Sequence, residues 1–337
     1  MTNPLYRTTK PPRRHPLRTS PVTTLAYLPN NSYAEAFCKE LGEAPSNLEV
    51  ILCTSADELI TRISTSLRLD GAIVSHDSNF AKITEALAGT QAEENLVVLA
   101  PHEVIASVQA EVGVHPVIPL PGTPMAARVL LSQNAATDPG CQLSSFQLSH
   151  LVSYGRMTHT FEATQTSIDR PVFLHLLNSE HTGEQEISRE FLADLQAKAK
   201  ASHESLIPVF QAINDGTRLY YAAEQVRTET LAQVISEGRS IDPLRVLRIL
   251  HAAAASLMHL NGIKVSAHQL ETEHIYLVPE TSDGCRIENI AYAGEMTEDE
   301  HLTCLARFGK ALIPALDRSS EFAEEVRTWL DNISTQP

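Results

Sequence analysis

Between residues 21 and 132 the chain switches five times between a short β-rich apolar run and a helical stretch, and no other feature narrows its fold as much. The runs are VTTLAYL from Val22, LEVILCT from Leu48, GAIVS from Gly71, NLVVLA from Asn95 and HPVIPL from His115. Their near-continuous apolar character predicts strands covered on both faces. The intervening helices have legible starts. Ser32 with Glu35, and Ser55 with Glu58, read as capping boxes, and Thr123 before Pro124 reads as an N-cap with proline at the first helical position. Such alternation predicts a parallel, doubly wound five-stranded sheet. Pro116 and Pro119 would each remove a ladder donor, which puts the fifth strand at an edge and suits the order 2-1-3-4-5.

The 337 residues suffice for two domains, and the second half changes character. A turn-rich linker, residues 133–147 with Asp138-Pro139-Gly140 inside it, leads to strands followed mostly by helices, an α+β pattern that runs to residue 332 before a short tail, 333–337. Residues 1–20 form a proline-rich leader carrying Arg7, Lys10, Arg13, Arg14 and Arg18 and no acid. Its composition predicts disorder. Since the whole chain carries −15, the rest carries −20, which disfavours nucleic-acid binding by the folded part and leaves only the leader as a candidate for it. Five dispersed cysteines without a C-x-x-C point to free thiols in a reducing, cytoplasmic setting and not to zinc. No apolar run approaches the length of a membrane span, and the fourteen histidines fall into no ligand spacing.

Residues 21–132 resemble a response-regulator receiver domain, a flavodoxin-like α/β fold, by length and element order. The resemblance implies acids after the first strand to hold Mg²⁺, where this chain has Asn30 and Asn31 after Pro29. It implies an acceptor aspartate where Ser75 stands, a hydroxyl where Ala100 stands, and a lysine where Leu120 stands before Pro121. Asp77 is a displaced acceptor candidate without an acidic pair to bring a metal. The segment reads as a pseudo-receiver.

Residues 148–332 resemble a eukaryote-type Ser/Thr protein kinase with two lobes, the second truncated. SYGRMTHTFEATQTSIDRPVFLHLLN matches the glycine-rich loop and first three strands, with Ser153, Gly155 and Thr158 at the three glycine positions and His175 at the lysine of V-A-I-K. EISREFLADLQAKAK matches the αC helix, with an apolar stripe Ile187, Phe191, Leu195 and Ala199 and with Asp194 at the ion-pairing glutamate. Glu224 to Val226 matches the hinge. DPLRVLRILHAAAASLMHLNG matches the long central helix, capped by Asp242 and closed by Asn261-Gly262. Anchoring on Ile275 puts Ala267, His268 and Gln269 at H-R-D and His274 at the metal-binding asparagine, while Asn289, Ile290 and Ala291 take the place of D-F-G. RFGKALIPAL matches the start of a late helix.

The joint loss of lysine, catalytic base and metal ligands leads to the expectation of a protein that is not an enzyme and takes no cofactor or metal: a signalling adaptor that works through protein partners. The alternative is a divergent ATP-binding kinase using displaced acids such as Glu271, Glu273 or Glu288. Receiver domains commonly pair through the face of their fourth and fifth strands and helices, so the resemblance implies a homodimer or partner contact through TPMAARVLLSQ, with Ala127 in that face, and simple core packing of this helix is the other reading.

Overall fold

The computed structural model describes residues 22–28, 31–42, 48–66, 68–120, 124–132, 138–154, 157–178, 185–215, 218–294, 296–316 and 323–335. The leader, Asn30, Thr123, Gly155 and the first part of the expected linker therefore lie outside the described residues. The chain divides into two compact units, residues 1–184 with 214–220, and residues 185–213 with 221–337.

The first unit opens with β1 (Val22–Tyr27), α1 (Asn31–Gly42), β2 (Leu48–Cys53), α2 (Ala56–Thr65), β3 (Gly71–Ser75), α3 (Phe80–Leu87), α4 (Gln91–Glu94), β4 (Leu96–Pro101), α5 (Ile105–Val112), β5 (Val117–Leu120) and α6 (Pro124–Leu131). The five strands are parallel in the order β2-β1-β3-β4-β5, as expected, with β5 at an edge. β3 and β4 are buried along almost their whole length, which is why their residues run apolar without alternation. Ser55 caps α2 by accepting from Glu58 N, but the Glu58 carboxylate reaches back to Thr54 N at 2.8 Å and not to the cap residue. α1 starts at Asn31, so Ser32 lies within its first turn.

The described part of 133–147 is built into this unit. Asp138 caps a 3-10 turn, Cys141, Leu143 and Phe146 are buried, and β6 (Gln142–Leu143) pairs with β7 (Phe146–Tyr154). β7, β8 (Thr158–Gln165) and β9 (Arg170–Leu177) form an antiparallel sheet. The turn between β8 and β9 places Asp169 at φ 50°, a left-handed conformation that aspartate tolerates.

α6 packs against α1, β4 and β7. Pro124 through Val129 and Leu131 are all buried, and Ala127 is 0% exposed. This corrects the expectation of a pairing face there: the helix spends its apolar residues inside one chain. Arg128 is buried too. Its guanidinium donates to Gly140 O at 2.9 Å, to Leu41 O at 2.7 Å and to Glu40 O. It thereby satisfies carbonyls at the end of α1, where the helix dipole favours a cation. The side chain of Glu40 pairs with Arg218 at 3.2 Å in the same unit.

The second unit holds α7 (Gln185–Lys200), most of β10 (Val209–Asn214) and β11 (Leu219–Glu224), α8 (Leu231–Ser236), α9 (Pro243–Gly262), β12 (Ser266–Ala267), β13 (Ile275–Tyr276), β14 (Arg286–Ile287), β15 (Ala291–Tyr292), α10 (Glu298–Leu312) and α11 (Ala323–Thr335). Its core joins Val246, Ile249, Ala252, Ala253, Leu257 and Leu260 of α9 to Cys304, Phe308 and Leu312 of α10. Asp242 accepts from Leu244 N and Arg245 N, with Pro243 at the first turn, as expected. Asp242→Ala is expected to remove about 1 kcal/mol from this unit's stability, read as a lower urea midpoint at unchanged slope. The helix ends at Gly262, as expected, and Lys264 beyond it takes a left-handed conformation (φ 55°). α10 begins at Glu298 under a Thr297/Glu300 capping box, well before Arg307, so RFGKAL is its second half. α11 runs to Thr335, into the stretch expected as a tail.

Candidate functional site

Two short antiparallel pairs organise the middle of the second unit. Ser266 and Ala267 face Tyr292 and Ala291, and Ile275 and Tyr276 face Ile287 and Arg286. His268 N donates to Ile290 O at 2.8 Å, so residues 266–268 and 289–292 run side by side. The sequence assigned these two stretches to H-R-D and D-F-G. The fold brings them into direct contact.

Each substituted side chain has a local partner. Asn289 is 5% exposed; its Nδ2 donates to Lys198 O at 3.0 Å and its Oδ1 accepts from Ala291 N at 3.2 Å. His274 closes a 3-10 turn and accepts from Glu271 N at 3.1 Å through Nδ1. The His268 ring stacks on Tyr292, centroids 4.3 Å apart, and desolvation followed by the nearby Lys198 holds its pKa below the usual value. Gln269 is exposed. Asp194 accepts from Ala293 N at 2.9 Å.

Lys198, one helical turn after Asp194, was not singled out by the sequence reading. Its Nζ donates to Asn289 O. Desolvation pushes its pKa down, while Glu288 and Asp194 pull it back up. The same two carboxylates act on Tyr221, whose hydroxyl desolvation drives upward. The expected stripe ended on Ala199, which is exposed; Leu195 and Ala197 are the buried residues of α7. Phe191, Asp194, Leu195 and Lys198 recur at i, i+3, i+4 and i+7, so two polar residues on an apolar face were the available signal.

In the first unit, His175 on β9 lies 3.0 Å from the Thr160 hydroxyl of its register partner on β8. Ser153 also faces Thr160, from β7, and Thr158 opens β8. On the parallel sheet, Ser75 ends β3 almost fully buried, Ala100 is 0% exposed on β4, Leu120 ends β5, and Asn31 opens α1. Asp77 accepts from the Tyr27 hydroxyl and from Asn79 N, both at 2.8 Å, and so ties β1 to the start of α3. Among the described residues, no group of three or more His, Cys, Asp or Glu side chains is placed to hold a metal ion, and no helix is long and apolar enough to cross a membrane.

No family model matches the chain. It is similar to bacterial Ser/Thr protein kinases over about two fifths of its length. The Ser/Thr-protein kinase pkn3 of Myxococcus xanthus is 26% identical over 140 residues, 41% of this chain and 25% of the relative. PknL of Mycobacterium tuberculosis is 23% identical over 137 residues, 41% of this chain and 33% of the relative. PrkC of Bacillus subtilis is 21% identical over 134 residues, 40% of this chain and 20% of the relative. The chain thus spans a third or less of the length of these relatives. Weak as it is, the similarity supports a kinase-like domain in this chain. The similarity overturns the expectation that it is not an enzyme, because these relatives are named as kinases and replaced motif residues do not by themselves exclude a relocated site.

Proposed function

We propose that the chain is a kinase-like signalling protein that binds ATP against its 266–292 segment, and that its α/β layer, residues 21–132, is a receiver-like module contacting a protein partner. The observation that carries the reading is the pairing of β12 with β15, extended by the hydrogen bond from His268 to Ile290. In kinases the segments that align with these two carry the catalytic base and the metal-binding acid, and their apposition here supports a site in the same part of the fold although the side chains differ. Further support comes from Glu288, a carboxylate beside Asn289 and one of the displaced acids weighed from the sequence. The module reading rests on the strand order 2-1-3-4-5 and on Ser75 in place of an acceptor acid.

ATP should displace a fluorescent ATP analogue from the full-length protein in a saturable manner, with GTP weaker. Failure of excess ATP to displace the analogue, in a preparation whose unfolding is cooperative, overturns the reading.

A further inference from the structure

In the kinases the aspartate of D-F-G holds Mg²⁺. Asn289, which aligns with it, is neutral, and its amide is committed to Lys198 O and Ala291 N. Mg²⁺ is bound by hard oxygen ligands, one or two carboxylates and water besides the phosphates. What stands beside the Asn289 carbonyl oxygen is an ammonium. Lys198 Nζ donates to the Asn289 carbonyl oxygen, and the carboxylates of Asp194 and Glu288 both act on it. Asp194 is held in place by Ala293 N, and Lys198 and Asn289 bond reciprocally, side chain to backbone in each direction. A divalent ion brought to the Asn289 carbonyl oxygen would meet the lysine's like charge at close range. The residues do not fit Mg²⁺ at this place.

We propose that Lys198 stands in for the divalent cation, so that this protein binds nucleotide without Mg²⁺. The inference rests on the ATP-binding reading above. An ammonium has three donors; the bond to Asn289 uses one, which leaves two to meet phosphate oxygens as a point charge. The lysine also sits on a helix, not on the strand that carries His175. The cation is therefore supplied from α7, whose Asp194 and Lys198 are fastened to residues 289–293.

The test is displacement of the fluorescent ATP analogue from the full-length protein by ATP, once in excess EDTA and once in excess Mg²⁺. Wild type should bind ATP at least as tightly in EDTA. Lys198→Met should lose at least about tenfold in affinity, 1.4 kcal/mol, with hydrogen exchange of α7 unchanged. ATP binding that appears only with Mg²⁺ overturns the inference and leaves the ATP-binding reading standing. No binding under either condition removes both. Undiminished binding by a folded Lys198→Met also overturns the inference. Should that variant lose protection in α7, Lys198→Arg decides: binding retained in EDTA supports the role of the charge, and binding lost overturns it.

Discussion

Ala127→Glu is expected to lower the stability of the first unit by about 3 kcal/mol or more, and to do so without any change of oligomeric state. Ala127 is fully buried in a helix enclosed by α1, β4 and β7. Its neighbours Met125, Ala126, Arg128 and Val129 are buried with it. Adding a carboxylate side chain to filled space costs about 1–3 kcal/mol in displaced packing. The desolvated charge, or the protonation that avoids it, adds a similar amount. Urea unfolding would show the midpoint falling, and soluble yield should fall with it. An unchanged midpoint together with a shift from dimer to monomer in light scattering would restore α6 as a surface helix and contradict its burial.

Acidification is expected to destabilise the first unit between pH 6.5 and about 4 through a single residue. His159 on β8 is 0% exposed; its Nδ1 pairs with Asn178 Oδ1, and its Nε2 has no hydrogen-bond partner among the described residues. Desolvation pushes its pKa down to about 4, against a smaller upward pull from Asn178. As pH falls below 6.5 the unfolded chain takes up this proton first, so unfolding is favoured progressively. Below about 4 the folded state binds it as well and the slope disappears. At 1.36 kcal/mol per decade the ceiling is about 3 kcal/mol. His159→Phe should flatten this component, so wild type loses about that much more stability than the variant between pH 7 and pH 4. Parallel pH profiles for the two proteins would rule out a buried neutral imidazole.

The parallel sheet was legible because its strands, apart from the edge strand β2, are largely buried on both faces and each run is bounded by turn or capping residues. Val22, Leu48, Gly71 and Val117 all open strands inside the runs read from the sequence. The long helix α9 was legible for a similar reason, an Asp-Pro start and an apolar periodicity of twenty residues. The charged positions were harder. Arg128 is the lone charge in an apolar helix, and periodicity cannot say whether such a residue points to water or caps another helix. Lys198 was hidden because the stripe was read one residue out of phase, ending on Ala199. His159 alternates with Phe161 and Ala163 on the buried face of β8, a signal present in the pattern but outweighed by the polar neighbours Thr158 and Thr160. At the candidate site, alignment of motifs picked two backbone segments, 267–269 and 289–291, that the fold sets side by side. It could not show that Asn289, Asp194 and His274 each hold local structure, because those bonds depend on the fold.

Arg128 also bears on how such a chain can be recombined. Its three acceptors come from the end of α1 and from the turn at Gly140, on either side of the boundary that motif matching would choose for cutting. A graft ending at residue 132 would carry the guanidinium away from Gly140 and strip β7 from α6. Exchange of this α/β layer between proteins should therefore succeed only when the splice is moved past Tyr154, so that donor, acceptors and β7 travel as one inherited block.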